Sequence, residues 1–444
     1  MNFFYIICLI ISLSSINCTK FTSRFAYLIR EGLKVEEKFN PEDDEIKSEF
    51  FQDYINKITN VKLKKNNYVE ILDNGEQVLK KMEELIKNAR EYILLEEYIF
   101  RNDEVGKKFI ELLKTKSKDG IKIYVVIDAI GTRNTDSKVY CSLLAEGINV
   151  RVYNPVFNWT ILRIDYRNHR KVLVVDGNYG VVSGIGLGKE YKYWRDLGVY
   201  IVGDSIKDLE DSFWLSWKDA GWGIVYKNIH IPLLNEIKEK VENFIKPYKK
   251  PIERKNEIKV KNRTKVRIVS TYPFFGHYEL LDNYIEIINN AKEYIYITNA
   301  YFVPNIYIRN ALKSAVERGV NVKIILPGET DLPVIRRASR IFFSNLLKNG
   351  IELYELKGQV LHAKYIIADD IYVSIGSTNF LDRAFFMNYE CNVDIIDKDI
   401  ALQMKEIFLE DLKKSKEIKY SEWKKRNIFS KLKDIINITT LTLF

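Results

Sequence analysis

Short β-branched runs alternate with amphipathic stretches along this chain, and their order repeats. Residues 93–95, 121–127, Val172–Val175 and 181–182 are brief, apolar and rich in branched side chains, as strands covered on both faces tend to be. Between the first two, residues 104–118 set Val105, Phe109, Leu112 and Leu113 on one face of a predicted helix. The same order of strand, helix and strand returns at residues 294–326. The likeness reaches the letters: AREYILLEEYIF (89–100) lines up with AKEYIYITNAYF (291–302), and DGIKIYVVID (119–128) with RGVNVKIILPG (318–328). Recurrence of apolar segments, glycines and motifs in one order marks a duplication. Each copy reads as an α/β unit.

The 444 residues suit two halves of about 180 residues each, taken as 69–245 and 266–427. The segment between them, 246–265, carries Pro247, Pro251 and many charges with no sustained period. A solvated linker is its simplest reading; a basic strip against anionic lipid is the alternative, with each basic side chain contributing on the order of 1 kcal/mol. Residues 3–16 are almost continuously apolar, short for a bilayer span and suited to a signal-peptide core. Residues 1–17 therefore read as a signal peptide or a short membrane anchor, although the stretch before the apolar core carries no Lys or Arg. Cys18 follows as a candidate lipidation site, against an ordinary cleaved signal or anchor. At the other end, 428–444 form an apolar tail with Ile428, Leu432, Ile435 and Ile436 on one helical face, placed to dock on the second half or to dip into a membrane interface.

Chemistry enters with two matched strings, NHRKVLVVD and LHAKYIIAD. They align His169, Lys171 and Asp176 with His362, Lys364 and Asp369, and the whole chain has only four histidines. Each string is followed at the same distance by a short polar or glycine-rich turn, SGIG (183–186) and GSTN (376–379). Within each string His and Lys are one residue apart on a predicted strand, so both side chains project from one face. A phosphodiester needs a nucleophile, cations for its equatorial oxygens and an acid for the departing alkoxide. Two histidines and two lysines supply all three.

The pair of strings resembles the double HKD signature of the phospholipase D superfamily. Flanking strings EEYIFRND, DYRNHRKV, WRDLGVYIVG, NAYFVPN and NFLDRAFFMNYE are most similar to bacterial cardiolipin synthases. The resemblance implies two similar phospholipase D-like α/β halves, forming a pseudo-twofold bilobal domain with one shared active site. It implies that one histidine attacks phosphorus to give a phosphohistidine while the other serves as acid and base, His169 and His362 being assigned to these roles with the reverse order open; that Lys171 and Lys364 bind phosphoryl oxygens; and that Asp176 and Asp369 hold local structure. Asp196 and Glu390, each starting an apolar run downstream of a motif, are assigned to orient the histidines; the plainer reading is an acid closing a loop before a strand. Ser377 and Asn379 are assigned to phosphate. Family members usually carry asparagine at both turn positions, and Gly186 departs from that pattern. They also commonly begin with two membrane-spanning helices, of which this sequence shows no second.

No metal or other cofactor is implied, since neither motif carries a ligand cluster. The net charge of +9 favours anionic surfaces without choosing between lipid and nucleic acid. The expected partners are an anionic phospholipid, phosphatidylglycerol or cardiolipin, and a membrane surface, with the protein active as a monomer. The location expected is membrane-associated outside the cytoplasm, with export as a lipoprotein left open. Nuclease relatives are often single-motif dimers, so the duplicated chain argues against nucleic acid as substrate. An inactive membrane-binding relative is the third reading, motivated by Gly186 and opposed by the intact His and Lys pairs. A phospholipase D releasing phosphatidic acid is the close alternative to a transferase, because the acceptor is not written in the sequence. Aromatic residues make up 13% of the chain; Phe302, Phe380, Phe385 and Phe386 are expected mostly in the core, with Tyr301 and some of these available to line an acyl groove. Cys141 and Cys391 read as small buried residues.

Overall fold

A computed structural model describes residues 45–154, 166–220, 250, 252, 258, 260, 263–272, 278–427 and 434. The leader with Cys18, the apolar tail except Asp434, and most of 246–265 lie outside them. The first half contributes β1 (Lys64–Leu72), β2 (Tyr92–Glu97), β3 (Lys122–Asp128), β4 (Asn149–Tyr153), β5 (Arg167–Asn168), β6 (Val172–Val175), β7 (Tyr179–Ser183) and β8 (Gly198–Gly203). The second contributes β9 (Thr264–Ser270), β10 (Tyr294–Asn299), β11 (Asn321–Glu329), β12 (Glu352–Val360), β13 (Lys364–Ala368), β14 (Tyr372–Gly376), β15 (Asn388–Tyr389), β16 (Cys391–Ile396) and β17 (Ser415–Glu417). The four apolar runs read as strands fall in β2, β3, β6 and β7, with only Ile121 preceding its strand.

Fifteen of these strands form one sheet, ordered β17-β12-β11-β10-β13-β14-β16-β9-β1-β8-β7-β6-β2-β3-β4. Apart from β17, the order reads the same outward from the β9–β1 junction in both directions, so the duplication appears as a pseudo-twofold axis through the sheet. The halves are stitched there by antiparallel pairing of Lys64 with Val266 and Asn67 with Thr264. Strand β9 thus begins inside the segment expected to be linker. Every position of β2, β6, β13, β14 and β16 is buried, because helices cover the sheet on both faces. One apolar cluster runs across the junction, joining Val199, Ile201 and Phe213 to Val266, Val393 and Phe408.

Several expectations shift in detail. The helix Glu104–Lys118 forms with its predicted bounds: Phe109 and Leu113 are buried together with Gly106 and Ile110, and Val105 and Leu112 pack half-buried against the same core. Its first turn lies so close to the preceding chain that a Cβ on Gly106 would fall 1.8 Å from the Arg101 carbonyl oxygen. Cys391 is buried, but Cys141 is exposed, on the outer side of a helix whose inward positions are Val139, Tyr140 and Leu143. Phe302, Phe380, Phe385 and Phe386 all pack into the second half's core at 1% exposure or less, which removes them from any acyl groove.

Candidate active site

Each motif histidine lies on the extended approach to a strand, just before β6 or β13, rather than within it. That approach crosses to the other half. Strand β5 pairs in parallel with β15, and the His169 amide donates to the Tyr389 carbonyl at 2.9 Å. In the matching place Arg195 bridges Leu361 in parallel, and the His362 amide donates to the Arg195 carbonyl at 2.8 Å. The residue after each accepting carbonyl is an acid. His169 Nδ1 therefore meets Glu390 Oε2 at 2.9 Å, and His362 Nδ1 meets Asp196 Oδ2 at 2.6 Å. Each histidine is held by a carboxylate from the opposite half, so neither half contains a complete pair.

The lysines follow at the same offset. Lys171 Nζ donates to the His169 carbonyl at 2.6 Å and lies 5.3 Å from the centre of the Tyr98 ring. Lys364 Nζ donates to the His362 carbonyl, approaches His362 Nδ1 at 2.7 Å and stands 3.9 Å from Asp196 Oδ2. Burial sets the electrostatics of this cluster. It lowers His169 to about 4 in spite of Glu390, and lowers Lys171 to about 7 and Lys364 to about 8 against the pull of Glu390 and Asp196 respectively. His362 is lowered by burial and then by Lys364. Burial pushes the two carboxylates up, yet Lys364 and His362 keep Asp196 low, and His169 and Lys171 keep Glu390 low. The free site therefore holds neutral imidazoles backed by charged carboxylates.

Asp176 and Asp369 lie outside this cluster. Both adopt the left-handed backbone region, φ 54 and 52. The Asp176 carboxylate accepts from the amides of Arg90, Glu91 and Tyr92 at 2.8 to 2.9 Å. Asp369 does the same with Lys292, Glu293 and Tyr294 at 2.7 to 3.0 Å. Each aspartate ties the turn after its motif strand to the start of the neighbouring strand, β2 or β10.

The turns after the motifs differ between halves. Ser377 Oγ donates to Glu390 Oε2 at 2.5 Å and accepts from the Cys391 amide at 3.0 Å, so it braces the carboxylate. Asn379 is buried, and its Oδ1 has no partner. In the first half Gly184 replaces the serine, where a Cβ would sit 2.5 Å from Asp196 Oδ1. At Gly186 a Cβ would meet Ile99 Cβ at 2.9 Å and Tyr191 Cε2 at 3.1 Å. The space of the missing asparagine side chain is thus occupied.

Several neighbours, Tyr301 apart, were not singled out in the sequence as site residues. Tyr98 packs edge-on against the His169 ring at 5.0 Å, while Tyr191, Trp194 and Tyr301 surround His362 at 5.7, 5.2 and 6.0 Å. Arg170 is fully buried and joins the Ser212 and Thr271 carbonyls to that of Glu390. Asn168 Nδ2 donates to Glu96 Oε1 at 2.5 Å, and Glu97 is buried beside them. The signal for the two glutamates was an acidic pair closing the apolar run of β2, a position where charge has no packing purpose. Among the described residues no group of three or more His, Cys, Asp or Glu could hold a metal ion.

The family model described as cardiolipin synthase, PLD-like domain matches residues 82–217 and 284–412, one segment in each half. The chain belongs to this family. Among its relatives, a cardiolipin synthase of Clostridium perfringens (strain 13 / Type A) is 32% identical over 83% of this chain and 75% of its own. The major cardiolipin synthase of Bacillus subtilis (strain 168) is 30% identical over 84% and 74%. Among solved structures, phosphatidylserine synthase from Haemophilus influenzae Rd KW20 superposes with a TM-score of 0.66 at 16% identity, covering 88% of this chain and 97% of that one. That likeness shows the shared fold. No helix among the described residues is long and apolar enough to cross a membrane.

Proposed function

We propose that this cardiolipin synthase family member is a phosphatidyltransferase that moves a phosphatidyl group from one phosphatidylglycerol to another through a phosphohistidine. The observation that carries this reading is the pair of histidine–carboxylate contacts, each completed across the halves, with both motif lysines buried beside them. Glu390 holds the proton on Nδ1 of His169, which leaves the Nε2 lone pair free to attack phosphorus. Lys171 and Lys364 take the phosphoryl oxygens, and their charge matters more in a dry site than in water. His362 protonates the departing glycerol alkoxide. The anionic phosphodiester favours protonated His362 once bound, offsetting the burial that lowers it in the free site. The second phosphatidylglycerol then enters; His362 removes its hydroxyl proton, and its oxygen displaces His169 from phosphorus to form cardiolipin.

Asp176 and Asp369 serve this site by fixing strand geometry, and Asn379 is assigned to donate its side-chain amide to a phosphoryl oxygen. The net charge of +9 supports docking on an anionic membrane surface, where the substrate resides. Release of phosphatidic acid by water attack remains the second reading, because the same phosphohistidine would serve either acceptor. The test is incubation with phosphatidylglycerol vesicles, with and without a chelator, followed by mass spectrometry of the lipids. Cardiolipin and glycerol formed in equal amounts and insensitive to chelator are expected; phosphatidic acid alone would make the protein a phospholipase D. Loss of turnover with chelator, restored by a divalent ion, would overturn the histidine mechanism.

A further inference from the structure

The surroundings of the two histidines differ on the side where His362 handles the alcohol oxygen. Tyr301 stands edge-on to the His362 ring, with ring centres 6.0 Å apart, and its hydroxyl donates to Asp331 Oδ2 at 2.6 Å. Asp331 lies in an exposed loop just after β11, where its other oxygen, Oδ1, accepts from Thr330 Oγ1 at 3.3 Å. The first half has no counterpart. Carrying on its alignment with the second half sets Ile99 at the place of Tyr301 and Thr132 at that of Asp331. Thr132 is buried, and its hydroxyl donates to the Asp128 carbonyl at 2.6 Å. Burial and then Asp331 hold the Tyr301 phenol well above its usual range, so it keeps its proton and commits it to the carboxylate. What the pair offers a ligand is therefore acceptors only, phenol lone pairs and carboxylate oxygens.

We propose that Tyr301 and Asp331 form a subsite for a hydroxyl on the carbon next to the reacting oxygen, so that the His362 side of the site selects a vicinal diol. This deepens the proposed function and rests on it. Both alcohols of that transfer carry such a hydroxyl: the glycerol that leaves, and the phosphatidylglycerol that enters through its terminal hydroxyl. An acceptor-only pair repels phosphoryl oxygens, which go to Lys171 and Lys364, and suits hydroxyl hydrogens. The Asp331 charge also reaches His362 and Lys364, where it opposes the burial that lowers both. A carboxylate would equally suit an ammonium headgroup, but that cation would lie near the Lys364 ammonium, whereas a neutral diol meets no such repulsion. Water and simple alcohols have no second hydroxyl to give the pair.

The test is acceptor competition in one vessel. The full-length protein is given phosphatidylglycerol vesicles with equal concentrations of 1,2-propanediol, 1-propanol and ethanolamine, and the phosphatidyl products are quantified by mass spectrometry. Wild type should favour the diol over the monoalcohol by about tenfold or more, as a charge-assisted hydrogen bond allows. D331A, an exposed truncation that should leave the fold intact, should bring the two to within about threefold, with D331N between them because it keeps an acceptor. Y301F should move the ratio the same way, since the carboxylate then loses its anchor. A merely structural role for Asp331 would lower all products together and leave their ratio unchanged. That unchanged ratio, or equal use of diol and monoalcohol by wild type, would overturn the inference while leaving the transferase reading standing. Preferred use of ethanolamine by wild type, lost in D331A, would overturn it in favour of an ammonium subsite. Formation of none of the three alcohol products by wild type would overturn the transferase reading and this inference with it.

Discussion

His169 meets Glu390 at 2.9 Å and His362 meets Asp196 at 2.6 Å, yet the two histidines are asked for opposite things, and this can be separated experimentally. A nucleophile needs its proton held on the far nitrogen; an acid is needed only if the leaving group demands a proton. With a p-nitrophenyl phosphodiester, whose phenolate leaves unassisted, H362A and D196N should regain formation of the His169 adduct, while H169A and E390Q should stay slower by about 10²–10⁴-fold. Adduct on His362 in H169A would reverse the assigned order. The pH profile follows from the same groups. Rising pH frees the His169 imidazole near 4, then strips charge from Lys171 near 7 and Lys364 near 8. It also deprotonates His362, which burial lowers. The kcat/KM profile should be a bell with a mildly acidic optimum, and a plateau extending to pH 9 would contradict it. The identities of the six motif residues were legible in the sequence because spacing and repetition exposed them. Which acid serves which histidine was not, because that pairing is made between β5 and β15 and between Arg195 and Leu361, contacts between segments far apart in the chain.

At the scale of elements, the motif aspartates act on strands. Asp176 accepts three amides at the start of β2 from a left-handed residue. D176A should therefore lose on the order of 3 kcal/mol in urea unfolding, while kcat per folded molecule changes little. D176N should lose less, since asparagine tolerates the backbone angle and keeps one acceptor. A catalytic collapse in D176N without loss of stability would move this residue into the chemistry. The glycine at 186 belongs to the same scale. Because Ile99 and Tyr191 fill the space around it, G186N should destabilise the first half and leave activity no higher, measured as melting temperature and kcat together. Increased turnover would mean that the missing amide was limiting. The strands and the helix Glu104–Lys118 were legible because their apolar periods are strong. The depth of burial along that helix was not, since Gly106 and Ile110 are buried while Val105 and Leu112 pack half-buried against the same core. Periodicity also left the histidines inside a strand, whereas their backbone amides bond across the halves instead of along β6 or β13.

For the whole molecule, the duplication visible in the sequence becomes a single sheet with an axis between β9 and β1, and the site lies where the halves exchange segments. The ladder at that junction is short and irregular, but it is reinforced by an apolar cluster containing Val199 and Val266 and by Arg195, which bonds Asp411 of the second half at 2.7 Å. Burial on this scale stabilises by roughly 25 cal/mol per Å² of apolar surface removed from water, so the covalent connection should be dispensable once the protein has folded. A protease site placed between Ala220 and Thr264 should be cleavable without loss of activity, the two fragments co-migrating in size-exclusion chromatography. Separated in denaturant and refolded singly, neither fragment should turn over substrate, because each would carry a histidine without its carboxylate. Refolded together, they should recover activity. The decisive mixture pairs a first fragment carrying H169A with a second carrying E390Q: both changes strike one histidine–carboxylate pair, so activity should be lost no further than with H169A alone. Additional loss from E390Q in that background would mean that Glu390 acts on something other than His169.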